Sequence, residues 1–355
     1  MIEIDLAKRL DAFALDVAFK AGGGVTALFG RSGAGKSTIV KAIAGLVRPD
    51  RGRIKIGDAV LFDSATRVDV PAQRRRAGVV FQDGRLFPHL TVKQNLLYGF
   101  SRARGEKRID AESVIGVLGV EGLSERRPVT LSGGERQRVA VGRALLAQPR
   151  VLLMDEPLAS LDAARKAEVL PYLEALNARF GIPIIYVTHD ADEVLRLASD
   201  VVLLANGKAA VSGPLGAVTS RLDLPVEAET LGLGAILEGR VEGHEPARGL
   251  TVVATPVGAF RLPLLQRDVG ARIAIRVAAR DVSIALARPE AISVQNMFDG
   301  VVEEVREAAP HVARLSLKAG EGRLVAELTA DAVVRLKLTA GAKVVALVKS
   351  VALAR

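Results

Sequence analysis

The sequence predicts an α/β domain built around a phosphate-binding loop, followed by a small all-β domain. Three observations carry that prediction. Up to about residue 230, short apolar runs alternate with helical stretches. Within this part, Gly30-Arg31-Ser32-Gly33-Ala34-Gly35-Lys36-Ser37 has the spacing of a glycine, four residues, then Gly-Lys-Ser. Beyond about residue 235, short runs rich in Val, Ile and Leu, separated by Gly and Pro, replace the helical periodicity. A chain of 355 residues has room for about two domains, and the expected division is 1–230 and 235–355.

Taken in order, strands are expected at 25–29, 151–154, 184–187 and 201–204. Each is a continuous apolar run, as suits a strand covered on both faces. Helices are expected at 36–46, 133–147 and 162–180, with Pro171 placed to kink or divide the last. In the second part, Gly239-Arg240-Val241-Glu242 is echoed by Gly300-Val301-Val302-Glu303, and Gly270-Ala271-Arg272-Ile273 by Gly341-Ala342-Lys343-Val344. Two small related β-barrels would produce this echo, as would chance similarity between Val- and Gly-rich strands.

Composition narrows the chemistry. Hydrophobic residues at 49% and charged residues at 25% describe an ordinary globular chain. The absence of cysteine excludes disulfides, thiolate zinc sites, iron–sulfur clusters and cysteine nucleophiles. Met1-Ile2-Glu3-Ile4-Asp5 carries acids where a secretory signal needs a basic start. No uncharged apolar run reaches the roughly 18 residues of a spanning helix, so work at a membrane would need another protein as anchor. The net charge of +9 suits either an anionic ligand or a generally Arg-rich solvated surface, with Arg74-Arg75-Arg76 as the longest basic run. Aromatic residues at 4%, with no Trp, supply a poor base-stacking surface and argue against nucleic acid as a partner.

The phosphate loop explains its own spelling. Glycines let consecutive N–H groups converge on phosphate oxygens, where side chains would block close approach. Lys36 neutralises phosphate charge, and the Ser37 hydroxyl is a magnesium ligand. Gly30, Arg31, Ser32, Gly33, Ala34, Gly35, Lys36, Ser37 and Thr38 are therefore the candidate nucleotide contacts. Val151-Leu152-Leu153-Met154-Asp155-Glu156 is an apolar strand ending in two acids. Ligands of open α/β sheets sit beyond the carboxyl ends of strands. Asp155 is thus a candidate metal contact and Glu156 a candidate general base for an attacking water. Two acids ending a strand in solvent is the competing reading. In Leu131-Ser132-Gly133-Gly134-Glu135-Arg136-Gln137, Ser132 and Glu135 have capping-box spacing, and two glycines leave N–H groups free at the helix start.

Together these segments resemble the ATP-binding cassette (ABC) family over nearly all of residues 1–230. Leu131 to Gln137 is similar to the family's signature sequence. Gln82, after Val79-Val80-Phe81, resembles the glutamine that senses the metal and contacts the permease side; Ser160-Leu161-Asp162 resembles the D-loop; His189 resembles the switch histidine that meets the γ-phosphate. The resemblance implies ATP and Mg2+ as cofactors, with Ser37, Gln82 and Asp155 at the metal and Glu156, His189 and Gln82 in catalysis. It also implies a head-to-tail homodimer, in which each ATP lies between the phosphate loop of one chain and Ser132, Gly133 and Gly134 of the other. Asp162 belongs to the same interface. Adenine usually stacks on an aromatic upstream of the loop, where Phe13 and Phe19 are the nearest.

A cassette followed by a β region resembles importer subunits, whose permease partners are separate membrane proteins. That implies a peripheral position on the cytoplasmic face of the inner membrane, served indirectly by a periplasmic oxyanion-binding protein. Leu86, Phe87 and Leu90, in the stretch from Gln82 to Val92, form either a permease docking surface or part of the local core. Within the importers, the stretches Phe81 to His89 and Leu153 to Asp162 are similar to the ATP-binding subunits of molybdate transporters. Residues 291–355 are similar to the OB-like (mop-type) oxyanion-binding fold, with Ser293, Asn296, Lys349 and Ser350 as its candidate contacts to molybdate or tungstate. Gln295 stands where that fold usually has a basic residue. Importers of sulfate, ferric ion, polyamine or sugar share the architecture, since fold does not fix cargo. An oxyanion sensor or a non-transport ABC protein is the remaining reading; the latter usually carries tandem cassettes or long helical insertions, and this chain has neither.

Overall fold

The computed structural model describes residues 1–10, 13–103, 107–224, 231–349 and 351–353. It divides into two compact units, Met1–Pro214 and Leu215–Arg355. The change in sequence texture near residue 235 therefore falls inside the second unit, not at its start.

In the first unit the elements run β1 (Ile2–Leu10), β2 (Phe13–Ala21), β3 (Val25–Phe29), α1 (Lys36–Ala44), β4 (Arg51–Ile56), β5 (Ala59–Asp63), β6 (Val68–Asp69) and β7 (Ala77–Val80). They continue with α2 (Val92–Phe100), α3 (Ala111–Leu118), α4 (Gly133–Leu146), β8 (Val151–Asp155), α5 (Ala163–Phe180), β9 (Ile184–Thr188), α6 (Ala191–Leu197), β10 (Asp200–Ala205) and β11 (Lys208–Pro214). The main sheet has six strands in the order β11-β10-β3-β9-β8-β7. Every neighbouring pair is parallel except the antiparallel edge pair β10–β11. Successive residues of its central strands serve opposite cores. Leu152, Met154, Ile184 and Tyr186 join the helices α2 to α5 on one face. Val151, Leu153, Ile185 and Val187 join α1 and the N-terminal strands on the other. Burial on both faces is why these strands read as unbroken apolar runs.

The order of the sheet brings the loops after β3, β9, β8 and β7 side by side. Phe29 pairs with Thr188, Val187 with Asp155, and Met154 with Val80. The residues that follow each strand therefore emerge along one edge, where ligands of such sheets bind. A second sheet, β2-β1-β4-β5-β6, is antiparallel throughout and covers α1. Pro171 does not divide α5, which runs continuously from Ala163 to Phe180. Pro171 is exposed, so the Ala167 carbonyl deprived of its helical donor can be met by water.

The second unit contains α7 (Leu215–Thr219), β12 (Gly234–Glu245), β13 (Leu250–Thr255), β14 (Gly258–Pro263), β15 (Arg272–Ala278), β16 (Val282–Ala285), β17 (Asn296–Ala309), β18 (Val312–Ala319), β19 (Gly322–Thr329), α8 (Ala330–Arg335), β20 (Lys343–Val348) and β21 (Ala352–Leu353). The internal echo is structural. Gly270 and Ala271 exchange backbone hydrogen bonds with Val241 at 2.8 and 3.0 Å, and Gly341 and Ala342 do the same with Val302 at 2.8 and 2.9 Å. Each echo sits at a β-bulge in its long strand, β12 or β17. The two antiparallel sheets, β14-β13-β12-β15-β21 and β16-β20-β17-β18-β19, therefore repeat one plan. The strand after the fourth of each repeat crosses over: β16 completes the second sheet and β21 the first. One core, including Phe260 and Phe298 with ring centroids 4.6 Å apart, joins them.

Candidate active site

The phosphate loop joins β3 to α1. Lys36 is buried and its ammonium donates to the carbonyls of Gly30 and Arg31 at 2.7 and 2.9 Å, folding the loop around the amine. Gly30 has φ 154° and Gly35 φ 101°, both disfavoured for residues with a Cβ. A Cβ at Gly30 would lie 2.3 Å from the Leu204 carbonyl oxygen, and one at Gly35 2.7 Å from Leu15 Cδ1. Side chains at these two positions would collide with the residues packed behind the loop, so this backbone path requires glycine there. Arg31, Ser32 and Gly33 are exposed, Ala34 is buried, and Ser37 and Thr38 are half-buried at the start of α1. The Phe13 ring, at the start of β2, comes within 3.2 Å of the Cβ positions of Gly35 and Gly207; Phe19 is buried in the core.

Ser37 Oγ donates to Asp155 Oδ1 at 2.9 Å, joining the first turn of α1 to the end of β8. A hydroxyl and a carboxylate are hard oxygen donors and fit magnesium, which takes one or two protein groups beside phosphate oxygens and water. Burial pushes the Asp155 pKa up and Glu156 adds repulsion, against the Ser37 hydrogen bond. Burial likewise pulls the Lys36 pKa down, against the attraction of Glu156 and Asp155. Both groups hold charge in a place that disfavours it unless an opposite charge arrives.

Glu156 follows immediately. Its φ of 48° is left-handed, and its N–H donates to the Val187 carbonyl at 3.0 Å. A non-glycine residue in this region carries backbone strain that its surroundings must hold. His189, one residue beyond β9 and largely exposed, places Nδ1 3.5 Å from Glu156 Oε1. Gln82 is exposed two residues past β7, at the same sheet edge.

Ser132 caps α4 as the spacing predicts. Its Oγ accepts from the Glu135 N–H at 3.2 Å, and its own N–H donates to Glu135 Oε2 at 2.7 Å. The hydrogen bond from Ser132 N–H, aided by Arg126, holds the Glu135 carboxyl below its ordinary range. A Cβ on Gly133 would lie 2.7 Å from Leu161 Cδ2, so the signature segment packs on the D-loop of its own chain. Asp162 caps α5, accepting from the Arg165 N–H at 2.9 Å. Among the described residues, no hydrogen bond or ion pair joins Ser132, Gly133 or Gly134 to the phosphate loop.

The segment after Gln82 is both core and surface. Leu86 packs against the main core, whereas Phe87 stacks near the exposed Tyr98, with centroids 4.5 Å apart. Asn95, fully buried, holds the segment: it accepts from the Phe87 N–H at 2.9 Å and donates to the carbonyls of Phe87, Leu90 and Thr91 at 3.0 to 3.3 Å.

In the second unit, the expected oxyanion contacts differ in their surroundings. Asn296 is buried, and its carboxamide is spent on the main chain of Arg261, accepting at 2.7 Å and donating at 3.1 Å. It ties β17 to β14 and commits the amide oxygen and one of the two amide N–H donors to the main chain. Asn296 pairs with Val348, which places Lys349 just beyond the end of that pairing; Lys349 and Ser293 are both exposed. Ser350 lies outside the described residues.

Sequence reasoning missed three supports. Arg75, only 1% exposed, is no part of a solvated basic run: it donates to the Ala42, Ile43 and Val70 carbonyls and to Asp69, finishing the helix that starts at the phosphate loop. Asn95 was overlooked, as were Lys166 and Glu193, which brace the residues flanking His189. Some of their partners are distant or backbone atoms, and the nearer ones, such as Thr188 and Tyr186 for Glu193, form no recognisable local motif.

Residues 15–159 match the ABC transporter family and residues 292–354 the TOBE domain family. The chain is 48% identical over 363 residues to the molybdenum import ATP-binding protein ModC of Rhodospirillum rubrum, covering 100% of this chain and 98% of that protein. Its counterpart from Mesorhizobium japonicum is 46% identical over 357 residues, covering 100% and 96%. Among solved structures, cbiO1 from Clostridium perfringens, part of the ABC transporter complex cbiONQ, is similar with a TM-score of 0.50 and 27% identity, covering 60% of this chain and 88% of that one. With relatives this similar along their whole length, the chain belongs to the family of molybdenum import ATP-binding proteins, within the ABC transporters.

Proposed function

We propose that this chain is the ATP-hydrolysing subunit that powers import of molybdate, and of tungstate beside it, through a separate membrane permease. Similarity over the whole chain to proteins named for molybdenum import carries this reading. The grouping of Lys36, Ser37, Asp155, Glu156 and His189 at one sheet edge supplies the chemistry.

Gly30 to Thr38 wrap the phosphates, with Lys36 against their charge and backbone N–H groups at the start of α1 completing the cradle. Ser37, Asp155 and Gln82 would hold magnesium, which would supply positive charge against the phosphates. Glu156, fixed by its strained backbone, takes the proton of the attacking water. His189, beside it, meets the γ-phosphate and orders the site around it. The adenine stacks on Phe13.

Two chains pair head to tail in a symmetric, isologous dimer. The N–H groups of Ser132, Gly133 and Gly134 then close over the nucleotide of the other chain, with Asp162 at the same junction. The surface around Phe87 and Leu90 receives the permease, so the chain sits peripherally on the cytoplasmic face of the inner membrane. A periplasmic oxyanion-binding protein acts through the permease, and nucleic acid has no part. In the second unit, Lys349 and Ser293 offer a cation and a hydroxyl to an oxyanion, while Asn296 ties β17, which follows Ser293 and pairs with the strand before Lys349, to β14.

Uptake of labelled molybdate by cells lacking this chain tests the proposal. Uptake at low concentration is lost, and is restored by the native chain but not by Glu156→Gln. Intact molybdate uptake together with lost sulfate uptake would overturn the cargo and leave the ATPase standing.

A further inference from the structure

His189 is held by little of its own, yet the residues on either side of it are fastened. Glu193, 3% exposed, accepts through Oε2 from Tyr186 Oη and Thr188 Oγ1, each at 2.8 Å. Its other oxygen accepts from Lys166 Nζ at 2.7 Å. Thr188 Oγ1 in turn accepts from the Asp190 N–H at 3.0 Å, and Asp190 Oδ2 accepts from Lys166 Nζ at 2.6 Å. Thr188 and Asp190 are the immediate neighbours of His189, so one lysine grips the histidine loop from both sides.

Lys166 stands on α5, one helical turn after Asp162, and its N–H donates to the Asp162 carbonyl at 2.9 Å. Among the described residues it is the sole cation in ion-pair contact with either Asp190 or Glu193. A lysine needed only to offset the buried Glu193 would have no use for Asp190, which is partly solvated. The second bond has a geometric consequence: the helix that Asp162 opens and the loop that carries His189 are joined through one ammonium.

We propose that Lys166 is a positioning residue for His189, coupling the placement of that histidine to the Asp162 loop. The inference rests on the ATPase reading above, in which the Asp162 loop borders the partner chain. A shift of that loop on dimer closure then carries the His189 loop with it, over a path of one helical turn and two hydrogen bonds.

The test uses the full chain and steady-state ATP hydrolysis. Lys166→Met keeps the apolar stem and removes the charge; kcat falls by about tenfold or more while KM for ATP stays within about twofold. Lys166→Arg restores most of the loss. In a His189→Ala background, Lys166→Met causes no further fall, because both changes disable one step. Unchanged kcat in Lys166→Met, or a fully additive loss in the double variant, overturns the proposal. If Lys166→Met does not fold, Lys166→Met with Glu193→Gln removes the uncompensated buried charge, and the same kcat loss and the same non-additivity with His189→Ala are expected. Glu156→Gln, assayed alongside, separates this from the reading beneath it: normal turnover there sinks the ATPase assignment, whatever Lys166 does.

Discussion

Ser37 and Asp155, 118 residues apart in the chain, are joined by a 2.9 Å hydrogen bond from hydroxyl to carboxylate. The bond spans the gap between the helix after β3 and the end of β8, with β9 between those strands. It defines the place where phosphate charge, a metal and water would meet. Asp155→Asn keeps the size and a hydrogen-bonding group but loses the charge. The magnesium concentration giving half-maximal ATPase is expected to rise by about 10- to 100-fold, read from a magnesium titration at saturating ATP. An unchanged titration would remove Asp155 from the metal.

The capping box at Ser132 gives a stability prediction with a pH signature. Ser132→Ala removes the cap and lowers unfolding free energy by about 1 kcal/mol, seen as a lower denaturant midpoint. Glu135 has a depressed pKa in the folded chain, caused first by the hydrogen bond from Ser132 N–H. Its ionised form therefore adds stability fully above the ordinary glutamate value of about 4.3, and that stability fades as pH falls through the depressed folded value. The difference between native chain and Glu135→Gln should accordingly be largest near neutrality and shrink in acid. A difference that grows on acidification would contradict this assignment.

Asn95 holds the Phe87–Thr91 segment, the surface proposed to receive the permease. Asn95→Ala leaves the Phe87 N–H and three carbonyls without their partner, at a cost of about 1 to 3 kcal/mol. Basal ATPase of the separate chain is expected to persist, while stimulation by the assembled permease weakens. Full stimulation in this variant would place the docking surface elsewhere.

The oxyanion question has a direct assay. Calorimetric titration of the full chain with molybdate, tungstate and sulfate is expected to give saturable binding of the first two, abolished by Lys349→Ala. Asn296→Ala weakens binding only as far as it loosens β17 from β14. Binding that survives Lys349→Ala would move the site away from the β17–β20 end.

The parts of this molecule that could be read from sequence are those whose chemistry is local. A phosphate loop must carry its glycines, lysine and serine together, and Ser132 finds Glu135 three residues on. Strands buried on both faces show themselves as apolar runs, so β3, β8, β9 and β10 were expected nearly where they lie. The antiparallel sheet β2-β1-β4-β5-β6 was not, although Ile2, Ile4 and Leu6, and then Leu15, Val17 and Phe19, alternate with a period of two. What stayed hidden depends on distant partners. Arg75 reads as one of three surface arginines until the helix end 32 and 33 residues earlier is set beside it. The structural role of Asn296, tying β17 to the main chain of Arg261 on β14, is invisible until those two strands are set side by side.

If Glu156 is the base that makes a nucleotide-closed dimer a working ATPase, the Glu156→Gln variant separates closure from turnover. Glu156→Gln is incubated with ATP and magnesium, its mass followed by light scattering and its turnover by phosphate release. A stable dimer is expected in the presence of ATP, with turnover reduced by about a hundredfold or more. A chain that stays monomeric with ATP, or one that hydrolyses it at the native rate, would contradict that expectation.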